Sequence, residues 1–103
     1  MARIVFYNLV EFLEEVRCRG IKTIRRDYVP RQFDDGIWVL DLVLTATDGE
    51  DVLYMRLFVR WFVPGPRGEH HAIIEEAKEK TDEWLVKKLK DFDVMAGGVI
   101  EAV

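Results

Sequence analysis

The 103-residue sequence contains no serine and only one cysteine, Cys18. The lack of serine excludes Ser-His-Asp catalysis, and a single cysteine excludes an intramolecular disulfide or a metal site built from several cysteines. No run of about 18 apolar residues is free of charge, so the sequence predicts no membrane-spanning helix. Hydrophobic residues make up 50% of the chain, which is too many for an intrinsically disordered protein.

Side-chain amides are also scarce, since Asn8 and Gln32 are the only two. Charged residues, in contrast, make up 33% of the chain. Few thermolabile amides and many ion-pair formers are typical of hyperthermophile proteins, so the composition favours a thermophilic source. The N-terminal residues lack the pattern of a signal peptide, and a lone thiol suits a reducing compartment. We therefore expect a cytoplasmic protein that forms a single domain over residues 1–103.

The hydrophobic patterns along the chain predict an α+β fold. Two segments have helical spacing and the others have strand patterns: helices over 8–19 and 70–90, strands over 21–29, the two arms of 37–63, and 92–96 with 99–103. The expected fold is an antiparallel sheet of about four strands with both helices packed on one face, in the order α-β-β-β-α-β. The pattern leaves open whether residues 2–7 extend the first helix or form an edge strand.

The hairpin within residues 37–63 is the firmest local prediction. Asp48-Gly49 is a favoured pair for a two-residue type I′ turn, and such a turn places Asp41 opposite Arg56. The only acid inside the first arm then meets an arginine, which favours this register. One face of the hairpin becomes wholly apolar, while the other alternates aromatic and charged side chains.

If both helices cover the apolar face, the second face of the sheet is open to solvent. Its predicted members are Val39, Val43, Tyr54, Arg56, Phe58, Arg60 and Phe62. This surface is more apolar than a soluble monomer usually exposes, and aromatic residues and arginine are enriched at interface centres. The first hypothesis is therefore a homodimeric interaction or assembly module without catalysis, joined sheet to sheet. The alternative is that the N-terminal segment or the last strand covers this face.

Nucleic-acid binding is the second hypothesis, because aromatic rings stack on bases and arginines bind phosphates. The face just described offers both residue types. A basic segment also precedes it: Arg17, Arg19, Lys22, Arg25, Arg26 and Arg31, against the single acid Asp27. The net charge of −4 opposes phosphate binding by the chain as a whole.

The predicted order of elements is similar to that of double-stranded-RNA-binding domains and of restriction-endonuclease-like nucleases. The residues that carry those functions are absent, since the second helix opens with Glu69-His70-His71 rather than with lysines. The strand opposite Asp41 offers Tyr54-Met55-Arg56 in place of an acid and a lysine, and an arginine does not act as a general base. With no nucleophile beside a base and an orienting group, the sequence predicts no catalytic residues, no metal and no cofactor.

Overall fold

The structure is a computed structural model that describes residues 2–65 and 68–91 and the backbone of residues 99–102. Its elements are β1 (Ala2–Phe6), α1 (Leu9–Cys18), β2 (Thr23–Gln32), β3 (Trp38–Thr47), β4 (Asp51–Phe62), α2 (His70–Asp91) and β5 (Val99–Ala102). The predicted α+β class is confirmed, and the undecided N-terminal segment is a strand. The part of the predicted last strand over residues 92–96 lies outside the described residues. Neither α1 nor α2 combines the length and the apolarity needed to span a bilayer.

The strands form one mixed sheet in the order β1-β4-β3-β2-β5. The three central strands are antiparallel, as predicted. The two outer strands run parallel to their neighbours, β1 to β4 and β5 to β2. The chain therefore crosses the sheet twice through a helix, once from β1 to β2 and once from β4 to β5.

Both helices pack on the same face of the sheet, as predicted. The main cluster of buried side chains includes Phe12, Leu13 and Val16 of α1, Leu42, Leu44, Leu53 and Met55 of the sheet, and Leu85 and Leu89 of α2. A second cluster contains Leu40, Phe62, Ile74 and Ala77. Burying one large apolar side chain contributes about 1.5–3 kcal/mol, so these clusters fix both helices against the sheet. We call this side the helix face, and the other side, on which no described helix packs, the open face.

Local chemistry at both ends of α1 explains its length. The side-chain oxygen of Asn8 accepts hydrogen bonds from the backbone N–H groups of Val10 at 2.8 Å and Glu11 at 3.4 Å, so Asn8 is the N-cap. Gly20 has φ 65°, a left-handed conformation that glycine adopts without strain and that ends the helix.

The loop between β3 and β4 is longer than the predicted two-residue turn. Thr47 pairs with Val52, which leaves four residues in the loop. The Asp48 carboxylate accepts the backbone N–H groups of Glu50 and Asp51, each at 2.9 Å. Such bonds from a side chain to its own neighbouring backbone compete with a tight turn. The predicted register is therefore wrong by two residues.

This shift changes cross-strand partners but not faces. Asp41 lies opposite Phe58, not opposite Arg56 as predicted. Because side chains alternate with a period of two, a shift of two residues keeps each one on its predicted face along this part of the hairpin.

A β-bulge in β4 does change faces near the end of the strand. The register shifts between Leu40 and Asp41, which leaves Val59 without a partner in β3. Beyond the bulge, the alternation in β4 is reversed relative to the prediction. Phe62 turns to the helix face, where it is 6% exposed, and Trp61 turns to the open face, where it is 61% exposed.

β2 continues past Pro30, where the sequence pattern predicts its end, and reaches Gln32. β5 pairs only with Thr23–Arg26, so β2 has β3 as its single described neighbour at Pro30. An edge position tolerates proline because its missing N–H is not needed there. The extra residues bring Arg31 beside Val39 on the open face.

Candidate binding surface

The open face presents apolar and aromatic side chains among arginines. The strand registers place on it Arg3 and Val5 of β1, Tyr54, Arg56, Phe58 and Trp61 of β4, Val39, Asp41 and Val43 of β3, and Arg25, Asp27, Val29 and Arg31 of β2. Phe58 is 63% exposed and Trp61 is 61% exposed. Two large rings so close together on one strand are rarely left uncovered, which marks this face as a candidate docking surface.

The bulge alters the set of residues predicted for this surface. Five of the seven lie on the open face: Val39, Val43, Tyr54, Arg56 and Phe58. Phe62 and Arg60 do not, because β4 has reversed its alternation before it reaches them. Arg60 lies near α2 instead, where Lys80 and, to a smaller extent, Arg60 lower the pKa of Glu76. Alternation alone misses Trp61, because nothing in the sequence marks the position of the bulge.

Tyr54 lies on the open face, but one side of its ring is covered. The guanidinium carbon of Arg3 lies 3.8 Å from the ring centroid, a cation–π contact. β1 positions Arg3 there by pairing it with Val52, two residues before Tyr54. Among the described strand side chains of the open face, the rings that are open for stacking are therefore those of Phe58 and Trp61.

Asp41 lies within the open face and is nevertheless buried, with 8% of its side chain exposed. Arg56 Nε donates to Asp41 Oδ2 at 2.8 Å, and Arg31 Nη2 donates to the same oxygen at 2.9 Å. The first contact is the predicted ion pair, made along a diagonal of the sheet. The second contact joins β2 to the pair and has no counterpart in the sequence prediction. We call Arg31, Asp41 and Arg56 the arginine clamp.

The arginine clamp carries one excess positive charge, because two guanidinium groups share one carboxylate. Each guanidinium has five N–H donors, and in the hydrogen bonds of the described residues each uses one nitrogen on Asp41. The side chains of Arg31 and Arg56 are 49% and 38% exposed. The pKa of the Arg56 guanidinium is raised above its ordinary value, mainly because Arg56 donates a hydrogen bond to Asp41. The remaining donors are thus accessible to a ligand while the arginines are held in place.

The basic segment of residues 17–31 does not form one surface. Arg25 and Arg31 lie on the open face, whereas Arg26 lies between them on the helix face and pairs with Asp82 of α2. Arg17 and Lys22 are exposed and lie outside the sheet. Only two of the six basic residues therefore reach the face that carries the exposed rings.

Arg19 is bonded to three acids. Its guanidinium lies 2.7 Å from Glu15 and 2.9 Å from both Asp48 and Asp51. These contacts, that to Glu15 most of all, raise the pKa of Arg19 above its ordinary value. The backbone N–H groups of Asp51 and Glu50, together with Arg19, lower the pKa of Asp48 to about 2. Arg19 thus joins the end of α1 to the β3–β4 loop and is a structural residue.

A second polar network joins β2 to α2 on the helix face. The Tyr28 hydroxyl donates to Asp82 Oδ1 at 2.5 Å and lies 3.2 Å from the backbone oxygen of Lys78. Burial is the main cause that raises the pKa of Tyr28 above its ordinary value, and the bond to Asp82 adds to it. Arg26 also pairs with Asp82, but its Nε is buried and has no hydrogen-bond partner within the described part of the chain. Arg26 therefore has a structural role, because it helps to join β2 to α2.

Charge is unevenly distributed over the molecule. Among the described strand side chains of the open face, four are arginines, namely Arg3, Arg25, Arg31 and Arg56, and two are aspartates, namely Asp27 and Asp41. The whole chain, in contrast, carries −4, so the acidic excess lies elsewhere.

In the described part of the chain no three His, Cys, Asp or Glu side chains come together as a metal site. Comparison with protein-family models, with curated proteins and with solved structures finds no match for this chain.

Proposed function

We propose that this protein binds single-stranded nucleic acid on its open face. The observation that carries the proposal is the presence of two exposed rings, Phe58 and Trp61, on a sheet face with an excess of arginine. Stacking on an aromatic ring contributes about 1–3 kcal/mol per base, and arginines neutralise phosphates. Bases of a single strand can lie flat on such a sheet, whereas paired bases cannot. In this proposal the protein acts without catalysis and in the cytoplasm.

The acidic excess elsewhere on the chain is compatible with this binding. Charges are screened over about 10 Å at 0.1 M salt, so acids beyond the helix layer repel a strand on the open face only weakly. The same uneven distribution orients an approaching polyanion toward the arginine-rich face.

Fluorescence anisotropy with a labelled single-stranded oligonucleotide of about 15 nucleotides tests the proposal. We expect Trp61→Ala to weaken binding about fivefold to 150-fold, the loss of one stacked base. Val86→Ala is the control, because Val86 is 43% exposed on α2, on the helix side of the sheet, and does not line the cavity that Trp84 shares with Phe58. This control is expected to bind like the wild type, and a duplex of the same sequence is expected to bind more weakly.

Two results would contradict the proposal. One is the absence of binding to any single-stranded DNA or RNA at about 50 mM salt, where phosphate contacts are strong. The other is an equal loss of affinity in Trp61→Ala and Val86→Ala, which would show that the open face is not the binding surface.

A homodimeric interaction module joined through the open face is the second candidate, and the exposure of Phe58 and Trp61 favours it. One property of the face ranks it second. Two copies placed face to face would oppose two arginine-rich surfaces.

Light scattering separates the two candidates. A homodimer has about twice the mass of the 12.1 kDa chain. If the open face is its interface, Phe58→Glu gives a monomer, because an unpaired charge in a desolvated apolar contact is costly, and added oligonucleotide competes with self-association. A wild type that stays monomeric excludes the homodimer, whereas a dimer that persists with bound oligonucleotide would place the dimer contact on another surface.

A further inference from the structure

The arginine clamp has features that an ion pair made only for stability does not need. One arginine is enough to neutralise the Asp41 carboxylate, yet Arg31 and Arg56 both bind its Oδ2 atom. The second arginine leaves a positive charge on the surface that no described acid compensates within the clamp. Guanidinium groups match the geometry of phosphate oxygens and bind them through two parallel hydrogen bonds.

We propose that the arginine clamp is a phosphate-binding site, in which Arg31 and Arg56 bind one phosphate group and Phe58 stacks on the adjoining base. Asp41 is a positioning residue that does not touch the ligand. It holds both guanidinium groups in place before the ligand arrives, which reduces the entropy lost on binding. The nucleotide part of this proposal rests on the proposed function, whereas the phosphate site is testable without it.

The positions of the rings support this division of roles. Phe58 lies directly opposite Asp41 on the neighbouring strand, and Trp61 lies opposite Val39, which is itself opposite Arg31. Neighbouring strands are about 4.8 Å apart, so Phe58 lies one strand spacing from Asp41, whereas Trp61 lies two spacings, about 10 Å, from Arg31. A strand that places a phosphate on the clamp therefore has an exposed ring beside it for the attached base.

Lysine substitutions test whether the forked shape of arginine matters. Arg31→Lys and Arg56→Lys keep the charge but lose the paired donors, so we expect each to weaken oligonucleotide binding about tenfold. Arg25→Lys is the matched control, because Arg25 lies on the same face outside the clamp. We expect this control to change affinity less than twofold, since a single phosphate contact by charge alone is retained. Equal affinities for all three variants and the wild type would overturn the proposal.

Asp41→Asn tests the positioning role by the sign of its effect. The substitution removes a negative charge from an arginine-rich face, so simple attraction predicts tighter binding of a polyanion. Positioning predicts weaker binding instead, because the two arginines lose their shared anchor. A melting temperature close to that of the wild type shows that the fold is kept, and tighter binding by such a variant would overturn the role of Asp41.

Inorganic phosphate and a 5′-mononucleotide test the site without a polymer. In an NMR titration, both ligands are expected to shift the Nε–Hε signals of Arg31 and Arg56 and to leave that of Arg25 in place. The mononucleotide is expected to bind more tightly than phosphate, and Phe58→Ala to remove this difference. If mononucleotide and phosphate bind equally in the wild type, the role of Phe58 is wrong.

These measurements distinguish the failure of the clamp from the failure of the proposed function. Shifts of the two arginine signals in a protein that binds no oligonucleotide would establish a phosphate site and refute nucleic-acid binding. Oligonucleotide binding that is unaffected in Arg31→Lys and Arg56→Lys, with no shift caused by phosphate, would support the proposed function and refute the clamp.

Discussion

Arg25 and Arg26 are neighbours in β2 but lie on opposite faces of the sheet. Replacing each of them in turn by alanine therefore tests which face binds nucleic acid. Arg25 pairs with Thr45 on the open face, whereas Arg26 pairs with Leu44 on the helix face. Both substitutions remove one positive charge from the same strand. A mechanism that depends only on net charge predicts the same effect for both, whereas binding on the open face predicts a loss of affinity for Arg25→Ala alone.

The expected loss for Arg25→Ala follows from counterion release. Each phosphate contact with a single strand contributes about 0.7 to the slope of log affinity against log salt concentration. Because Arg31 and Arg56 share one phosphate, the four open-face arginines named above make three phosphate contacts. They therefore predict a slope of about −2.1 for the wild type and about −1.4 for Arg25→Ala. At 0.1 M salt, this difference corresponds to about fivefold weaker binding. The melting temperature is expected to change little, because Arg25 is exposed.

Arg26→Ala is expected to act on stability. Its ion pair with Asp82 is partly exposed, with 24% and 35% of the two side chains accessible. A hydrogen bond to a charged group contributes about 1.5–3 kcal/mol, but removing Arg26 also removes its unsatisfied buried Nε. The net loss is then about 1 kcal/mol, which lowers the melting temperature of a domain of this size by about 4–8 °C.

Anisotropy titrations between about 25 and 200 mM KCl measure the slope, and thermal unfolding followed by circular dichroism measures stability. The reasoning is refuted if Arg26→Ala weakens oligonucleotide binding as much as Arg25→Ala does. It is also refuted if Arg25→Ala lowers the melting temperature and leaves the salt slope unchanged, because Arg25 would then be a structural residue.

Three further predictions concern stability and are measured by urea unfolding. Because the pKa of Tyr28 is raised above 10.0 in the fold, the free energy of unfolding should fall as the pH rises above about 10, and Tyr28→Phe should remove this fall. Because the pKa of Asp48 is lowered to about 2 from 3.8, its contribution should be lost as the pH falls from about 4 toward 2, and Asp48→Asn should make this acid loss shallower. Leu42→Ala should cost about 2–5 kcal/mol, whereas Val43→Ala on the open face should cost clearly less; equal costs would contradict the assignment of faces.

Features of the fold that depend on local patterns are predictable from this sequence. Asn8 caps α1 through its own neighbouring N–H groups, and the alternation around Leu42 places the apolar side of the hairpin against the helices. The pairing of β1 with β4 is not predictable in the same way, because it joins segments far apart in the chain and leaves no periodic signal. The register error likewise has a local cause, since the Asp48 side chain binds two backbone N–H groups that a tight turn would leave free.

The candidate site is less predictable, because it depends on packing between distant elements. The bulge that exposes Trp61 accompanies the packing of Phe62 against Ile74 of α2, and the sequence of β4 alone does not reveal that contact. The second arginine of the clamp reaches Asp41 only because β2 continues past Pro30, where the sequence pattern predicts an end. The ion pair between Asp41 and Arg56 is predictable, because opposite charges on one hairpin face attract over several possible registers.

The parallel outer strands constrain how this chain folds during synthesis. β1 pairs with residues 51–55, so its apolar side chains Ile4 and Phe6 have no strand partner until β4 has been made. At about 5–20 residues per second, that wait lasts roughly 3–10 s. The central strands β2 to β4 pair with strands that are adjacent in the sequence. They can form first, because contacts between segments near each other in the chain form faster. Of the five strands, the one synthesised first is thus among the last to enter the sheet, and chaperones that bind exposed apolar strands have the most time to bind it.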